Sequence, residues 1–177
     1  ERDSVISYES DYDQYILKIF DLYSDQINKK INILDFGGSI GSLYFKYKKK
    51  IKNKFLWSII EQKKFVDEGK KNFQNEELNF FYNIDEYLNL HNPDIVLASS
   101  SLQYLKNYKE VLKKIIESNA KFIIILKTPF SKKNNDEIYI QKPLKHIYNS
   151  TYPCWIFSQI NFVSNFLDNY DLDKKKI

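Results

Sequence analysis

The stretch INILDFGGSIGS, residues 31–42, decides the fold of this chain. It is an apolar run with one Asn that ends in an acid, Asp35, and passes at once into a turn with Gly37, Gly38 and Gly41. A short apolar run of this kind is typical of a strand buried in a parallel sheet. Glycines directly after such a strand allow a tight turn in which the backbone approaches a ligand closely. The stretch therefore predicts a nucleotide-type cofactor loop at the carboxyl end of a strand.

The spacing of the glycines separates the candidate cofactors. A dinucleotide pattern starting at Gly37 would need glycines at positions 39 and 42, where serines stand. A phosphate-binding P-loop would need a Gly-Lys-Ser/Thr tripeptide, which the sequence lacks. The pattern that fits is acid-x-Gly-x-small-x-Gly, formed by Asp35, Gly37, Ser39 and Gly41. It resembles the first motif of class I S-adenosylmethionine (SAM) methyltransferases, with Ser39 in place of the usual central glycine.

A second acid stands where such a fold needs one. Glu61 follows the apolar run 55–60 and lies about 20 residues after Gly41. Two ribose hydroxyls present two donors, and a carboxylate, which only accepts, suits them. The alternative interpretation is a solvated acid that happens to follow a strand.

A third polar group follows the apolar run 94–98. It comprises three serines and an amide, Ser99, Ser100, Ser101 and Gln103. Because the carboxyl ends of parallel strands share one edge of a sheet, we expect these side chains to line the same pocket as Asp35 and Glu61. The serines alternatively cap the turn that follows.

The remaining apolar periodicity alternates between helix and strand. Helices are predicted over 11–27, 43–51, 63–73, 85–90 and 108–118, and strands over 31–34, 55–60, 78–81, 94–98 and 121–126. This alternation predicts an α/β fold with a Rossmann-like, doubly wound, mostly parallel sheet and helices on both faces. Residues 1–30 form an amino-terminal helical segment in this interpretation.

The composition indicates one domain, residues 1–177. The 27 basic and 23 acidic residues nearly balance at a net charge of +4, which disfavours a nucleic-acid site. One cysteine excludes an internal disulfide framework and is consistent with the cytoplasm. No apolar run reaches the roughly 18 residues of a membrane span, and no cluster has metal-ligand spacing. The sequence lacks Met and begins Glu-Arg-Asp, so we expect the native chain to extend beyond both ends of this sequence.

The sequence blocks taken in order resemble a known family. LDFGGSIGS, SIIEQ, DEGKK, ASSSLQYL, KTPF and IYNSTYPCWIFS are similar to bacterial SAM-dependent methyltransferases whose members are associated with capsule and other surface-polysaccharide gene sets. The resemblance covers nearly the whole chain. It implies the class I methyltransferase fold, a single SAM-binding domain, SAM as cofactor with S-adenosylhomocysteine (SAH) as product, and a small, sugar-linked acceptor.

The resemblance also implies cofactor-binding residues by position. Those around the methionine part of SAM are Asp35, Gly37, Gly38, Ser39 and Gly41. Glu61 takes the ribose hydroxyls, and Gln62 lies beside the adenine. The adenine edge is completed by Asn83 and Ile84, and the pocket closes near the sulfonium with Ser99, Ser100 and Gln103.

The catalytic residues are expected in 131–158, interpreted as an acceptor-side insertion. Methyl transfer is an in-line displacement that depends chiefly on alignment, so a base is optional. His146 is the first candidate because its ordinary pKa is near neutrality, although a lone His is often a surface residue. Asp136 and Glu137 are alternatives, and Tyr152 is placed on the acceptor side.

The sequence-based hypothesis is a SAM-dependent methyltransferase acting on an oxygen of a saccharide or another surface-polysaccharide precursor. Two alternatives stay open. One is a SAM-binding partner subunit without transfer activity, and the other is an NAD-dependent oxidoreductase.

Overall fold

The computed structural model describes residues 11–24, 29–142 and 150–172. The chain divides into two compact units, which are described separately. The first consists of Glu1–Ser99 with Ser118–Leu126, and the second of Ser100–Glu117 with Lys127–Ile177.

The first unit is built on a parallel sheet of five strands. They are β1 (Ile31–Phe36), β2 (Phe55–Ile60), β3 (Leu78–Phe81), β4 (Ile95–Ser99) and β5 (Phe122–Leu126). Their order is β3-β2-β1-β4-β5, and all four pairings are parallel. The chain runs outward from β1 in one direction, then returns to add β4 on its other side. This reversal makes the carboxyl end of β1 the topological switch point, where open α/β sheets bind ligands.

Helices cover both faces of this sheet. The first unit contains α1 (Asp11–Ser24), α2 (Ser42–Tyr47), α3 (Lys63–Asn72) and α4 (Ile84–Leu88). On one face, apolar residues of α1, α2 and α3 form a single core with alternate residues of the strands. On the other face, Tyr87 of α4 packs edge-on against Phe81 of β3, with ring centroids 5.4 Å apart. Burial on both faces explains why the strands are predominantly apolar.

Trp57 lies at the centre of the larger core. Its side chain has no exposed surface, and it meets Phe20 of α1 and Tyr44 of α2 at centroid distances of 6.2 and 6.1 Å. Buried aromatic rings supply large apolar areas and favour such edge-on contacts. The helix that precedes β1 and the helix that follows it are thus packed onto one side chain of β2.

The second unit combines short helices with a small sheet. Its elements are a 3₁₀ turn (Leu102–Tyr104), α5 (Tyr108–Glu117), β6 (Phe130–Ser131), β7 (Glu137–Gln141), β8 (Tyr152–Ser158) and α6 (Gln159–Ser164). The strand order is β6-β8-β7, with β7 antiparallel to β8. Phe157 is fully buried, and its ring contacts those of Tyr108 and Phe162 at 4.7 and 5.0 Å. This aromatic cluster forms the core of the unit.

The doubly wound parallel sheet predicted from the sequence is confirmed, and several boundaries change. Strand β1 continues to Phe36, so Asp35 lies inside the strand and not after it. Helix α2 ends at Tyr47 and not at Ile51, because residues 48–50 turn. Within the described residues, no helix is both long and apolar enough to cross a membrane.

Candidate cofactor site

The glycine loop after β1 contains three residues with left-handed backbone. Gly37 has φ 77°, Ser39 φ 53° and Gly41 φ 105°. The value at Ser39 lies in the small left-handed region that residues other than glycine also occupy, at a modest cost. The value at Gly41 lies outside it, where a Cβ is strained. The loop therefore accepts a serine at the central position and requires glycine at the last one.

Two backbone hydrogen bonds shape the loop. The Gly37 N–H donates to the carbonyl of Ile60 at 2.9 Å, which ties the start of the loop to the end of β2. The Gly41 N–H donates to the carbonyl of Gly38 at 3.0 Å and closes the turn. The loop is thus fixed at the switch point before α2 begins.

Asp35 lies buried beneath this loop with 1% of its surface exposed. The indole N–H of Trp57 donates to its Oδ2 at 3.1 Å, whereas its Oδ1 is buried and has no hydrogen-bond partner among the described residues. A Cβ at Gly38 would stand 2.5 Å from Oδ2, so the backbone there covers the carboxyl directly. Only glycine allows this approach.

The surroundings of Asp35 disfavour its charge. Burial raises its pKa from the ordinary 3.8 to about 7, and the negative charge of Glu61 adds to the rise. The hydrogen bond from Trp57 acts in the opposite direction, because it stabilises the carboxylate. A carboxyl in this state is a candidate functional group, since proteins rarely bury one without a partner for both oxygens.

Glu61 and Gln62 follow β2 at the same edge of the sheet. The Glu61 N–H donates to the carbonyl of Phe81 at 3.2 Å, and Glu61 Oε2 accepts from the Gln62 N–H at 2.5 Å. Glu61 is half-buried, while Gln62 is exposed and precedes α3. The predicted ribose and adenine residues therefore lie one strand away from Asp35.

Asn83 and Ile84 stand beyond the carboxyl end of β3, where the predicted adenine edge lies. Asn83 caps α4, because its Oδ1 accepts from the Glu86 N–H at 2.9 Å. Glu86 in turn accepts from the Tyr82 N–H at 2.8 Å. The side chain of Ile84 is buried in the core. Both side chains thus have structural roles at this position, independent of any ligand.

Ser99 ends β4 in the first unit, and the other two predicted residues of this segment belong to the second unit. Gln103 is 3% exposed, and its Nε2 donates to Ser100 Oγ at 3.2 Å and to the carbonyl of Lys127 at 3.1 Å. Its Oε1 is buried without a partner. Ser100 has φ 54°, a left-handed conformation directly after the strand.

Of the residues predicted for catalysis, the structure describes Tyr152 and Asp136 but not His146. His146 lies outside the described residues, so its placement stays a prediction. Tyr152 begins β8, half-buried, with its ring edge-on to Tyr104 at 5.4 Å. Asp136 accepts from the Tyr108 hydroxyl and, at 2.7 Å, from the Ser158 N–H, so it ties α5 to the small sheet.

Two further observations concern Glu137 as a base and the binding of a metal ion. Glu137 pairs with Lys133 at 2.8 Å, so this alternative base is also engaged by a neighbour. Among the described residues, no group of three or more His, Cys, Asp or Glu side chains is arranged to hold a metal ion.

Trp57 is the residue of this site that sequence reasoning missed. A signal for it exists, because Trp57 lies in a predominantly apolar strand that is expected to be buried, and a buried indole N–H needs an acceptor. Only the register of β1 and β2, which sets Ile33 opposite Trp57 and Asp35 opposite Ile59, shows that Asp35 supplies that acceptor.

Several solved structures with a similar fold are described as methyltransferases. A protein from Listeria monocytogenes described as SAM-dependent has 13% identity and a TM-score of 0.56, with 88% of this chain and 78% of that chain covered. The glycopeptide N-methyltransferase MtfA, solved with SAM, has 9% identity and a TM-score of 0.54, covering 89% and 84%. Human N-acetylserotonin methyltransferase has 16% identity and a TM-score of 0.58, covering 92% of this chain and 47% of its own.

The chain therefore has the class I methyltransferase fold, as its sheet order and switch point indicated. No protein-family profile and no curated protein sequence matches it. The fold is thus shared at sequence identities too low to define the activity.

Proposed function

We propose that this protein is a SAM-dependent methyltransferase that methylates an oxygen of a saccharide or a related surface-polymer precursor. The proposal rests on one observation. At the switch point of the sheet, the glycine loop lies over the buried carboxyl of Asp35, and Trp57 donates to one of its two oxygens. Glu61, an acceptor-only group, directly follows the neighbouring strand β2.

The charges at this edge favour SAM over a dinucleotide. SAM carries a positive sulfonium and an ammonium group, and the two acids Asp35 and Glu61 attract such a ligand. A dinucleotide places a doubly negative pyrophosphate on the glycine loop, directly over Asp35, whose ionised form repels it. The serine at position 42 also replaces the third glycine of the dinucleotide pattern.

The side chains and the glycine loop at this edge of the sheet suit the separate parts of SAM. The unpartnered Oδ1 of Asp35 is an acceptor directly under the loop. Gly37 and Gly41 give the loop its tight turn. Glu61 accepts from the ribose hydroxyls, while Gln62 lies beside the adenine. Ser99, at the end of β4, completes this assignment near the sulfonium.

The bound cofactor would supply an electrophilic methyl group. In the transfer, the bond from methyl carbon to sulfur breaks, a bond from that carbon to the acceptor oxygen forms, and SAH is released. The acceptor hydroxyl loses a proton, for which we assign His146 as general base. Tyr152 offers an aromatic face and a hydroxyl, groups that suit a sugar.

Calorimetric titration with SAM, SAH and NAD tests the cofactor. We expect SAM and SAH to bind and NAD not to bind. Glu61→Ala removes charge-assisted hydrogen bonds to ribose, each worth about 1.5 to 3 kcal/mol, so affinity falls by more than about tenfold. Glu76→Ala is the matched control, because this exposed acid precedes β3 at the opposite edge of the sheet. Equal affinities of the two variants would remove Glu61 from the site.

Release of SAH with saccharides and nucleotide-linked sugars tests the reaction. We expect turnover with at least one of these acceptors and a loss of about 10²-fold in His146→Ala. SAM binding without turnover on any of them would favour the non-catalytic partner subunit. NAD binding without SAM binding would favour the oxidoreductase.

A further inference from the structure

We propose that Trp57 is a positioning residue that holds Asp35 as a proton-sensitive support of the glycine loop, so that the protein binds SAM more tightly when this carboxyl is ionised. This inference rests on the proposed function, because that proposal supplies the ligand, SAM. The hydrogen bond between Trp57 and Asp35, and its response to pH, are tested without any cofactor.

The contact geometry sets up this role. Asp35 is held from one side, where Trp57 Nε1 donates to Oδ2 at 3.1 Å. The other oxygen has no hydrogen-bond partner in the described part of the chain, and the Gly38 backbone covers the carboxyl from above. Trp57 is itself immobilised, because Phe20 and Tyr44 pack on its ring. The donor from Trp57 therefore fixes the orientation of the carboxyl, and the described residues leave the charge of its other oxygen without a counter-charge, so that a cation above the loop is attracted through space.

The groups around Asp35 explain its sensitivity to pH. Burial raises the pKa of Asp35, and the negative charge of Glu61, which directly follows the strand of Trp57, adds to the rise. The helix α2 contributes the phenol of Tyr44, which packs against the indole ring. From β4, Leu97 is the register neighbour of Asp35, and it is apolar. A cationic ligand above the loop opposes both burial and Glu61, so it favours the ionised form.

This arrangement couples proton release to cofactor binding. If only the ionised form of Asp35 supports the cation, affinity falls as the pH decreases through the pKa of Asp35. By linkage, the bound cation lowers that pKa by the same factor. Trp57→Phe keeps most of the ring and removes the donor, so it moves the pH at which affinity falls to a higher value.

Nuclear magnetic resonance of the indole N–H groups tests the structural part. The chain has two tryptophans, so Trp57→Phe assigns the two resonances. We expect the Trp57 resonance to shift with a midpoint near pH 7, and the shift to disappear in Asp35→Asn. The Trp155 indole, which donates to the Leu105 carbonyl at 2.9 Å, is the internal control.

A second variant keeps the test decisive if Asp35→Asn does not fold. Glu61→Gln removes the neighbouring negative charge and should lower the midpoint. A Trp57 resonance that is constant from pH 5 to 9 overturns the proposal. So does a midpoint that Glu61→Gln leaves unchanged.

Calorimetry with SAM across the same pH range tests the coupling. We expect affinity to fall about tenfold from pH 8 to pH 6 in the parent. The α-amino group of SAM also titrates near this range, and Asp35→Asn measures that background. SAM binding with the same pH dependence in both proteins overturns this inference. A complete lack of SAM binding at every pH overturns the proposed function instead.

Discussion

Asp35→Asn should stabilise the fold at neutral and alkaline pH, although Asp35 lies in the cofactor site. The substitution keeps the size of the side chain and an oxygen that accepts from Trp57, and it removes the buried charge. A carboxyl whose pKa rises from 3.8 to about 7 on folding destabilises the folded state by about 4 kcal/mol once the pH exceeds 7. The amide of Asn places a donor where Oδ1 has no partner, which costs about 1 to 3 kcal/mol. The net expectation is a gain of about 1 to 3 kcal/mol at pH 8.

The gain should depend on pH in a defined direction. Because the pKa of Asp35 is higher in the folded state, that state binds more protons than the unfolded chain between about pH 4 and pH 7. The contribution of Asp35 to stability is therefore fully present below about pH 4 and is lost as the pH rises to about 7. At pH 4 both proteins carry a neutral group at position 35, so the advantage of Asn disappears.

Urea unfolding followed by circular dichroism at pH 4, 5, 6, 7 and 8 measures this difference. Asp168→Asn is the matched control, because Asp168 is exposed, and its difference from the parent should stay small and constant. An Asp35→Asn variant that is less stable than the parent at pH 8 would refute the reasoning. A gain of the same size at every pH would refute it equally, since it could not arise from ionisation.

Three further substitutions test separate parts of the structure. Gly69→Ala places a Cβ against the ring of Phe80, so we expect a lower free energy of unfolding by about 1 to 3 kcal/mol in urea denaturation, despite the better helix propensity of Ala. Asn83→Ala removes the side chain that accepts from the Glu86 N–H and should cost about 1 kcal/mol, which Asn83→Asp should largely restore; equal stability of the two variants would contradict the cap. Tyr152→Phe should leave SAM affinity within a few-fold of the parent, by calorimetry, while SAH release with the true acceptor falls; a loss of SAM binding would instead place Tyr152 at the cofactor.

The sequence alone predicted the elements of the first unit to within a few residues. Strands such as Phe55–Ile60 and Leu78–Phe81 are recognisable because burial on both faces leaves no polar residue to interrupt them for long. The alternation with amphipathic helices then permits few arrangements, of which the parallel doubly wound sheet is one. The glycine spacing predicted a tight turn after β1, and Gly37 and Gly41 adopt left-handed backbone there, because backbone freedom is a local property.

The second unit shows where local patterns are insufficient. Residues 131–158 were expected to shape an acceptor pocket, and their pairing into a three-stranded sheet could not be inferred from their spacing. The role of Asp136 as a link between Tyr108 and Ser158 joins residues far apart in the chain. Sequence reasoning considered it only as a base.

The state of Asp35 depended on the tertiary structure alone. Its identity and its position after an apolar run indicated a ligand-binding acid, but its ordinary pKa would make it a simple carboxylate at neutral pH. Burial under Gly38, the donor from Trp57 and the charge of Glu61 are long-range features that no local pattern encodes. They arise only when β1 and β2 pair in register and the loop closes over them. The sequence thus determined which groups are present, and the packing determined their protonation and hydrogen bonds, because desolvation and Coulomb interactions depend on distances in space and not along the chain.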